Sequence, residues 1–193
     1  NCEFTKCGQS SAKCAYDAED GWDMMQDVTF RKLNFHDNPN NNFLTCAGHN
    51  FVIEDMIDGK VHFWERTNSY VVRNCNNLSS AYLGHTSRKR SGYVRFCNNT
   101  INGNINIEAT QENDTCSLTV KDCNIYGRAE NTIDTGLYLR CDIGKSNNKD
   151  NNWNIALGSG NFKDCTISNK SGENMGGIYE NCTFENISGN IHG

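Results

Sequence analysis

The chain has 193 residues and a formal net charge of −5, which is long enough for one domain with its own core. A single proline, 17 glycines and many asparagines disfavour long helices, and the 36% of hydrophobic residues come in short bursts. The acidic balance argues against a nucleic-acid or anionic-membrane surface. No stretch approaches the ~20 apolar residues that span a bilayer.

A short phrase of apolar, charged, polar and small apolar residues recurs about every 21 residues, beginning with 28–33 and 51–56. Its last position is occupied by Leu33, Met56, Cys75, Cys97, Cys123, Cys141, Cys165 and Cys182. Each phrase alternates over about five residues and ends at Asn, Gly or Ser, the pattern of a strand and a turn. Stacked at ~4.8 Å, such units build a core from few apolar residues. We therefore predict an all-β, right-handed parallel β-helix of about eight coils of roughly 21 residues.

The cysteines need an explanation of their own, because eleven is an odd number and no CxxC pair is present. Both facts weaken the disulfide and zinc interpretations. Cysteine behaves as a small hydrophobe that stacks on itself, so most of these thiols are predicted to be reduced and to fill the core. Asparagine tolerates left-handed backbone and bonds its neighbours in adjacent coils. We expect this of Asn98, Asn99, Asn124, Asn181 and Asn186.

Three of the phrases carry a family resemblance. The segments 122–125 (Asp-Cys-Asn-Ile), 164–167 (Asp-Cys-Thr-Ile) and 181–184 (Asn-Cys-Thr-Phe) resemble the coil signature of pectate-lyase-like right-handed β-helices. The resemblance covers nearly the whole chain and implies architecture, since this fold carries lyases, hydrolases, phage tailspikes and adhesins. We expect one domain over 1–193, which either is a fragment of a longer solenoid or has its ends covered by neighbours.

A second strand precedes each phrase, and in the first four coils its end is rich in functional side chains. The candidate catalytic residues are Glu19, Asp20, His49, Glu65, Arg66 and His85. If these strands stack, the side chains form a ladder on an outer face with neighbours about 5 Å apart. Paired carboxylates at ~5 to 9.5 Å are what glycoside hydrolysis requires, and a His or Arg beside them tunes their pKa. The alternative is a solvated face, with Glu65 and Arg66 as a surface ion pair.

Exposed aromatic rings are a second signal on the same strands. Trp22, Trp64 and Tyr82 are the candidates for substrate binding, because flat rings pack against sugar faces, although Trp64 fits the core equally well. The segment 48–50 (Gly-His-Asn) is similar to the Gly-His-Gly of polygalacturonases, and Glu19 with Asp20 to their paired aspartates. This sequence departs from that pattern in three ways. The residue after His49 is Asn50, one of the paired carboxylates is Glu19, and no Arg-Ile-Lys element follows.

The sequence predicts no metal or other cofactor. Calcium is the alternative, because lyases of this fold often hold it with carboxylates. Asp17, Glu19, Asp20 and Asp23 offer such oxygens, but their spacing is not that of a calcium loop.

Three functions remain open. The first is a phage tailspike or tail-appendage module that binds host surface polysaccharide, with or without cleaving it. Unpaired cysteines, which are compatible with synthesis in a reducing cytoplasm, favour this hypothesis. The second is a secreted bacterial polysaccharide lyase or glycoside hydrolase, and the third a non-catalytic adhesin or spacer. All three imply a virion, extracellular or cell-surface location and a polysaccharide partner rather than nucleic acid or membrane. The first also implies a homotrimer or larger assembly.

Overall fold

A computed structural model describes residues 2–5, 16–18, 26–36, 43–85, 92–102, 105–109, 116–126, 129–131, 137–144, 161–169 and 171–192. The described residues form strands and turns, and none of them is helical. The strands are β1 Cys2–Thr5, β2 Tyr16–Ala18, β3 Thr29–Arg31, β4 Leu33–His36, β5 Phe43–Glu54, β6 Lys60–Arg73, β7 Ser80–His85, β8 Gly92–Cys97, β9 Thr100–Ile101, β10 Ile105–Ala109, β11 Cys116–Lys121, β12 Asn124–Ile125, β13 Ala129–Asn131, β14 Leu137–Leu139, β15 Asp142–Ile143, β16 Asn161–Lys163, β17 Thr166–Ser168, β18 Ser171–Gly176, β19 Ile178–Glu180, β20 Thr183–Glu185 and β21 Ser188–His192.

Every described strand pair is parallel, and strands far apart in sequence stack on one another. The first face consists of β2, 43–46 of β5, 60–63 of β6, β7, β10 and β13. The second face consists of β3, 51–54 of β5, 70–73 of β6, β8, β11, β14, β16 and β19. The third face consists of β9, β12, β15, β17 and β20. This arrangement is a parallel β-solenoid, as the repeat predicts.

The second face supplies one wall of the core. Its inward column stacks in register as Phe30, Ile53, Val72, Phe96, Val120, Tyr138, Phe162 and Tyr179. The six inner members are at most 1% exposed, whereas Phe30 and Tyr179 at the two ends are half-buried. The rings of Tyr138 and Phe162 stack at 4.9 Å between centroids. Each apolar residue is thus covered by its equivalents in the neighbouring rungs, which is how the solenoid buries a thin supply of apolar side chains.

A left-handed residue ends every strand of the second face. The turn column is Lys32, Asp55, Asn74, Asn98, Asp122, Arg140, Asp164 and Asn181, with φ between 51° and 57°. Among residues other than glycine, Asn and Asp tolerate this conformation best, because their short side chains bond nearby groups. Each of the first seven donates its backbone N–H to the last strand residue of the next rung, over 2.9–3.2 Å. The abundance of asparagine therefore has a structural reason.

The turn column corrects one residue of the predicted repeat. The inward position follows the left-handed residue, and after Asn98 this is Asn99, not Cys97. Cys97 instead stacks in register between Arg73 and Lys121 on the outer side of the second face. Asn99 is 1% exposed; its Oδ1 accepts from the Cys75 backbone N–H at 2.8 Å and its Nδ2 donates to the Val72 carbonyl at 3.0 Å. Backbone conformation, rather than hydrophobicity, sets the register here.

The other thiols of the repeat lie where the sequence predicts. Cys75, Cys123, Cys141 and Cys165 are buried, and the six cysteines whose side chains are described are free thiols. The Cys165 thiol donates to the Tyr138 carbonyl at 3.4 Å, a bond to the neighbouring rung. Burial raises the pKa of Cys75 to about 12, so the thiol stays protonated at neutral pH. The prediction of reduced core cysteines is confirmed for these four.

The predicted asparagine ladders are present at the turns. The Asn98 side chain donates to Asn74 at 3.0 Å, Asn181 to Asp164 at 2.7 Å and Asn186 to Asn169 at 3.2 Å. Asn124 differs, because it lies within β12 on the third face and is exposed. The side-chain bonds of Asn98, Asn181 and Asn186 satisfy polar groups at the turns that would otherwise depend on water.

Candidate functional site

The first face carries an imidazole and a phenol on its outer side. Val61 and Phe63 are 1% and 0% exposed, so the strand alternation turns His62, which lies between them, outward. One rung further, Ala81 is 2% exposed and precedes the half-buried Tyr82. A β-strand presents alternate residues to opposite faces, and both polar rings therefore stand on the same outer surface.

The two rings are direct neighbours. His62 pairs in register with Tyr82, and their centroids are 4.5 Å apart with the planes inclined at 47°. The same register position runs along the face as Asp17, Thr45, His62, Tyr82, Asn106 and Glu130. At ~4.8 Å per rung, these six polar positions extend over ~24 Å. A tilted pair of rings thus occupies the middle of a polar column.

Burial sets the charge of this pair. Desolvation lowers the pKa of His62 below its usual value of 6.5, because the partly buried site disfavours the imidazolium. At neutral pH the imidazole is uncharged and offers one donor and one acceptor nitrogen. Together with the phenol of Tyr82, it forms a weakly polar and uncharged surface made of two tilted rings.

The sequence-predicted catalytic ladder is only partly within the described residues. Glu19, Asp20 and Trp22 lie outside them. His49 is half-buried in β5; its carbonyl accepts from the Asp27 N–H at 3.2 Å, and its register partner on the next rung is Asn68. The register therefore does not set Glu65 directly opposite His49.

The remaining candidates lie on β6 and β7. The backbone of Trp64, Glu65 and Arg66 belongs to β6, between the stretches that pair on the first and second faces. His85 ends β7, where its register partner is Ala109. The side chains of these four residues lie outside the described part. Tyr82 is the predicted site residue that contacts another functional side chain among the described residues, namely His62. The catalytic or substrate-binding roles of the other candidates stay predictions.

His62 is the functional candidate that sequence reasoning missed. The signal was present, because Val61-His62-Phe63 and Ala81-Tyr82-Leu83 both alternate apolar and polar residues. What the sequence could not show was that these two segments stack with His62 opposite Tyr82, since the intervening coil length and turns decide that register.

Among the described residues, no group of three or more His, Cys, Asp or Glu side chains is arranged to hold a metal ion. Of the four carboxylates considered for calcium, only Asp17 lies in a described segment, and there by its backbone. Within the described part, no helix is both long and apolar enough to cross a membrane.

Comparisons of the chain with protein-family models, with curated proteins and with solved structures find no match. The parallel β-solenoid therefore rests on the register of the strands themselves. The finer resemblance to pectate-lyase-like proteins gains no support from these comparisons.

Proposed function

We propose that this solenoid is a carbohydrate-recognising module that binds a linear polysaccharide along its first face, with His62 and Tyr82 at the centre of the contact. The observation that carries the proposal is the outward pair of rings 4.5 Å apart. Aromatic rings provide the apolar half of a sugar contact, because a flat ring packs against a sugar face. Thr45 and Asn106 hold the next register positions on either side.

Binding without cleavage at this face is favoured over hydrolysis. Glycosidases hold two carboxyl groups ~5 to 9.5 Å apart across the scissile bond. In the first-face column the carboxylate positions are Asp17 and Glu130, five rungs and therefore ~24 Å apart. Any cleavage would depend on the Glu19, Asp20 and Glu65 region suggested by the sequence.

The setting we propose is a phage tailspike or tail-appendage part that engages host surface polysaccharide. The six cysteines with described side chains are free thiols, which suits a protein assembled in a reducing cytoplasm, whereas secreted proteins usually oxidise theirs. A secreted polysaccharide lyase or hydrolase is the alternative, which the appearance of new reducing ends or unsaturated products would favour.

The test is affinity electrophoresis of the whole chain through gels that contain neutral and acidic bacterial or plant polysaccharides. We expect one or more polymers to retard the protein, and His62→Ala and Tyr82→Ala to weaken binding at least tenfold. The matched control is Tyr126→Ala, which removes a half-buried tyrosine beyond β12 of the third face. Retardation by a neutral polymer that survives both first-face substitutions, or no retardation by any polymer, would contradict the proposal.

A further inference from the structure

A cluster of cations surrounds Cys97 on the outer side of the second face. Arg73, Cys97 and Lys121 stack in register on successive rungs, and Arg95 precedes Cys97 by two residues on the same side of β8. Arg140 lies at the turn of the next rung. The cationic side chains remain accessible, because those of Arg73, Lys121 and Arg140 are 50%, 41% and 49% exposed and Arg95 is also exposed.

Nearby carboxylates do not balance this charge. Glu54 is shared by two arginines, Arg31 and Arg73, the latter at 2.6 Å. Asp122 accepts two bonds from Arg140, at 2.7 and 3.0 Å, and stands 3.8 Å from Lys121. Four cations thus share two carboxylates and Arg95 adds a fifth cation, on a chain whose net charge is negative.

The flanking rungs reduce this positive excess by one charge. On the flanking rungs, Lys32 and Asp55 stand in the turn column, and Lys163 pairs with Glu180 at 2.6 Å. Asp164 accepts from Asn181. The flanks contribute two cations and three carboxylates, so the strip from Arg31 to Arg140 remains the positive part of this face.

Arg95 adds to the cluster a planar guanidinium that packs over an aromatic ring. Its guanidinium lies 5.0 Å from the centroid of the Tyr93 ring, and among the described residues no carboxylate pairs with it. A guanidinium held on a ring keeps its donors directed outward and can bind a carboxylate with two parallel bonds. Beside it, Lys121 is an ammonium with only a distant partner.

The geometry points to a second binding site here: an anion strip formed by Arg73, Arg95, Lys121 and Arg140, which binds the carboxylates of a linear acidic polysaccharide. Arg73 and Lys121 are two rungs apart, ~9.6 Å at the usual strand spacing. That interval matches one charge per disaccharide of an extended glycan chain. A nucleic acid carries one charge per ~3.4 Å on each strand and needs a denser basic surface. This inference takes its polymer class from the proposed function but uses different residues on a different face.

The experiment measures binding of the whole chain to hyaluronan, which has one carboxylate per disaccharide, with neutral dextran and duplex DNA as comparison polymers. We expect hyaluronan to bind, and Arg95→Gln with Lys121→Gln to weaken it at least tenfold while making the affinity less dependent on salt. Lys163→Gln is the matched control, because Lys163 is exposed but paired with Glu180; its affinity should stay within about twofold.

Cys97 provides a readout that needs no substitution. Its half-buried thiol lies among Arg73, Arg95 and Lys121, so bound polymer should slow its alkylation by iodoacetamide at least threefold, as followed by peptide mass spectrometry. Cys182, half-buried at the last rung, should react at an unchanged rate.

Two results would overturn the inference. One is equal binding of hyaluronan and dextran with no effect of the Arg95 and Lys121 substitutions, which would leave the first-face proposal standing. The other is tighter binding of duplex DNA than of hyaluronan at the same salt, which would make the strip a nucleic-acid surface. Failure of the first-face proposal is recognised separately, by retardation in neutral polysaccharide that is unchanged by substitution of His62 and Tyr82.

Discussion

Asn99 shows how one residue adapts the core to a change in the repeat. Other rungs have a cysteine at this position. In one of them, Cys165 Sγ accepts only a long bond of 3.5 Å from the Cys141 backbone N–H. The Asn99 amide replaces such a contact with two shorter hydrogen bonds, to Cys75 and Val72. A buried amide is stable only when its polar atoms have partners, and both of these partners are backbone groups of the preceding rung.

Replacement of Asn99 by cysteine should therefore destabilise the protein, although it makes the repeat more regular. We expect Asn99→Cys to lower the free energy of unfolding by about 1 to 3 kcal/mol, since buried backbone groups lose their partners. Urea denaturation measures the change. Asn124→Cys, at an exposed position in β12, is the control and should stay within about 0.5 kcal/mol. Equal stability of Asn99→Cys and the parent chain would contradict this account.

At the scale of strands, an arginine–glutamate–arginine stack joins three rungs of the second face. Glu54, the last residue of β5, bonds to Arg31 on β3 and to Arg73 on β6. Its side chain is only 7% exposed, whereas the two arginines are largely exposed. Hydrogen bonds from Arg73 and then Arg31 lower the pKa of Glu54 below its usual 4.5.

A carboxylate with a lowered pKa stabilises the fold above its unfolded pKa, and that contribution is lost as the pH falls through the folded value. We expect the free energy of unfolding to decline below about pH 4.5, and Glu54→Gln to flatten that decline. Denaturation curves at a series of pH values test this. Glu180→Gln, whose side chain is 66% exposed beside Lys163, should keep the parent profile. An unchanged slope in Glu54→Gln would refute the role of the stack.

The strands also show how far sequence alone reaches. Recurrence of Asp122-Cys123, Asp164-Cys165 and Asn181-Cys182 was sufficient to predict the parallel stack, because a left-handed turn residue followed by a small core residue has few other uses. The prediction of Cys97 in the core was wrong, since it relied on hydrophobicity where Asn98 fixes the turn. The stack of Glu54 between two arginines could not be foreseen without the register.

For the whole molecule, function depends on which side chains the register brings together on the outside. Tyr82 was predicted as a substrate-binding residue because it is aromatic. Its partner His62 could be identified only from the register between rungs of unequal length. The first and second faces then present two different surfaces, a neutral pair of rings and a cationic strip. The central claim is that the first of these binds polysaccharide.

The most direct test follows the Cε1–H signals of the five histidines by NMR between about pH 4 and 8, with and without a polysaccharide that retards the protein. We expect the pKa of His62 to lie below 6.5 and to fall further when the polysaccharide saturates the protein. The reason is that a covering sugar removes more water from the imidazole. Tyr82→Ala should abolish that response. A His62 signal and midpoint unchanged at saturation would contradict the claim.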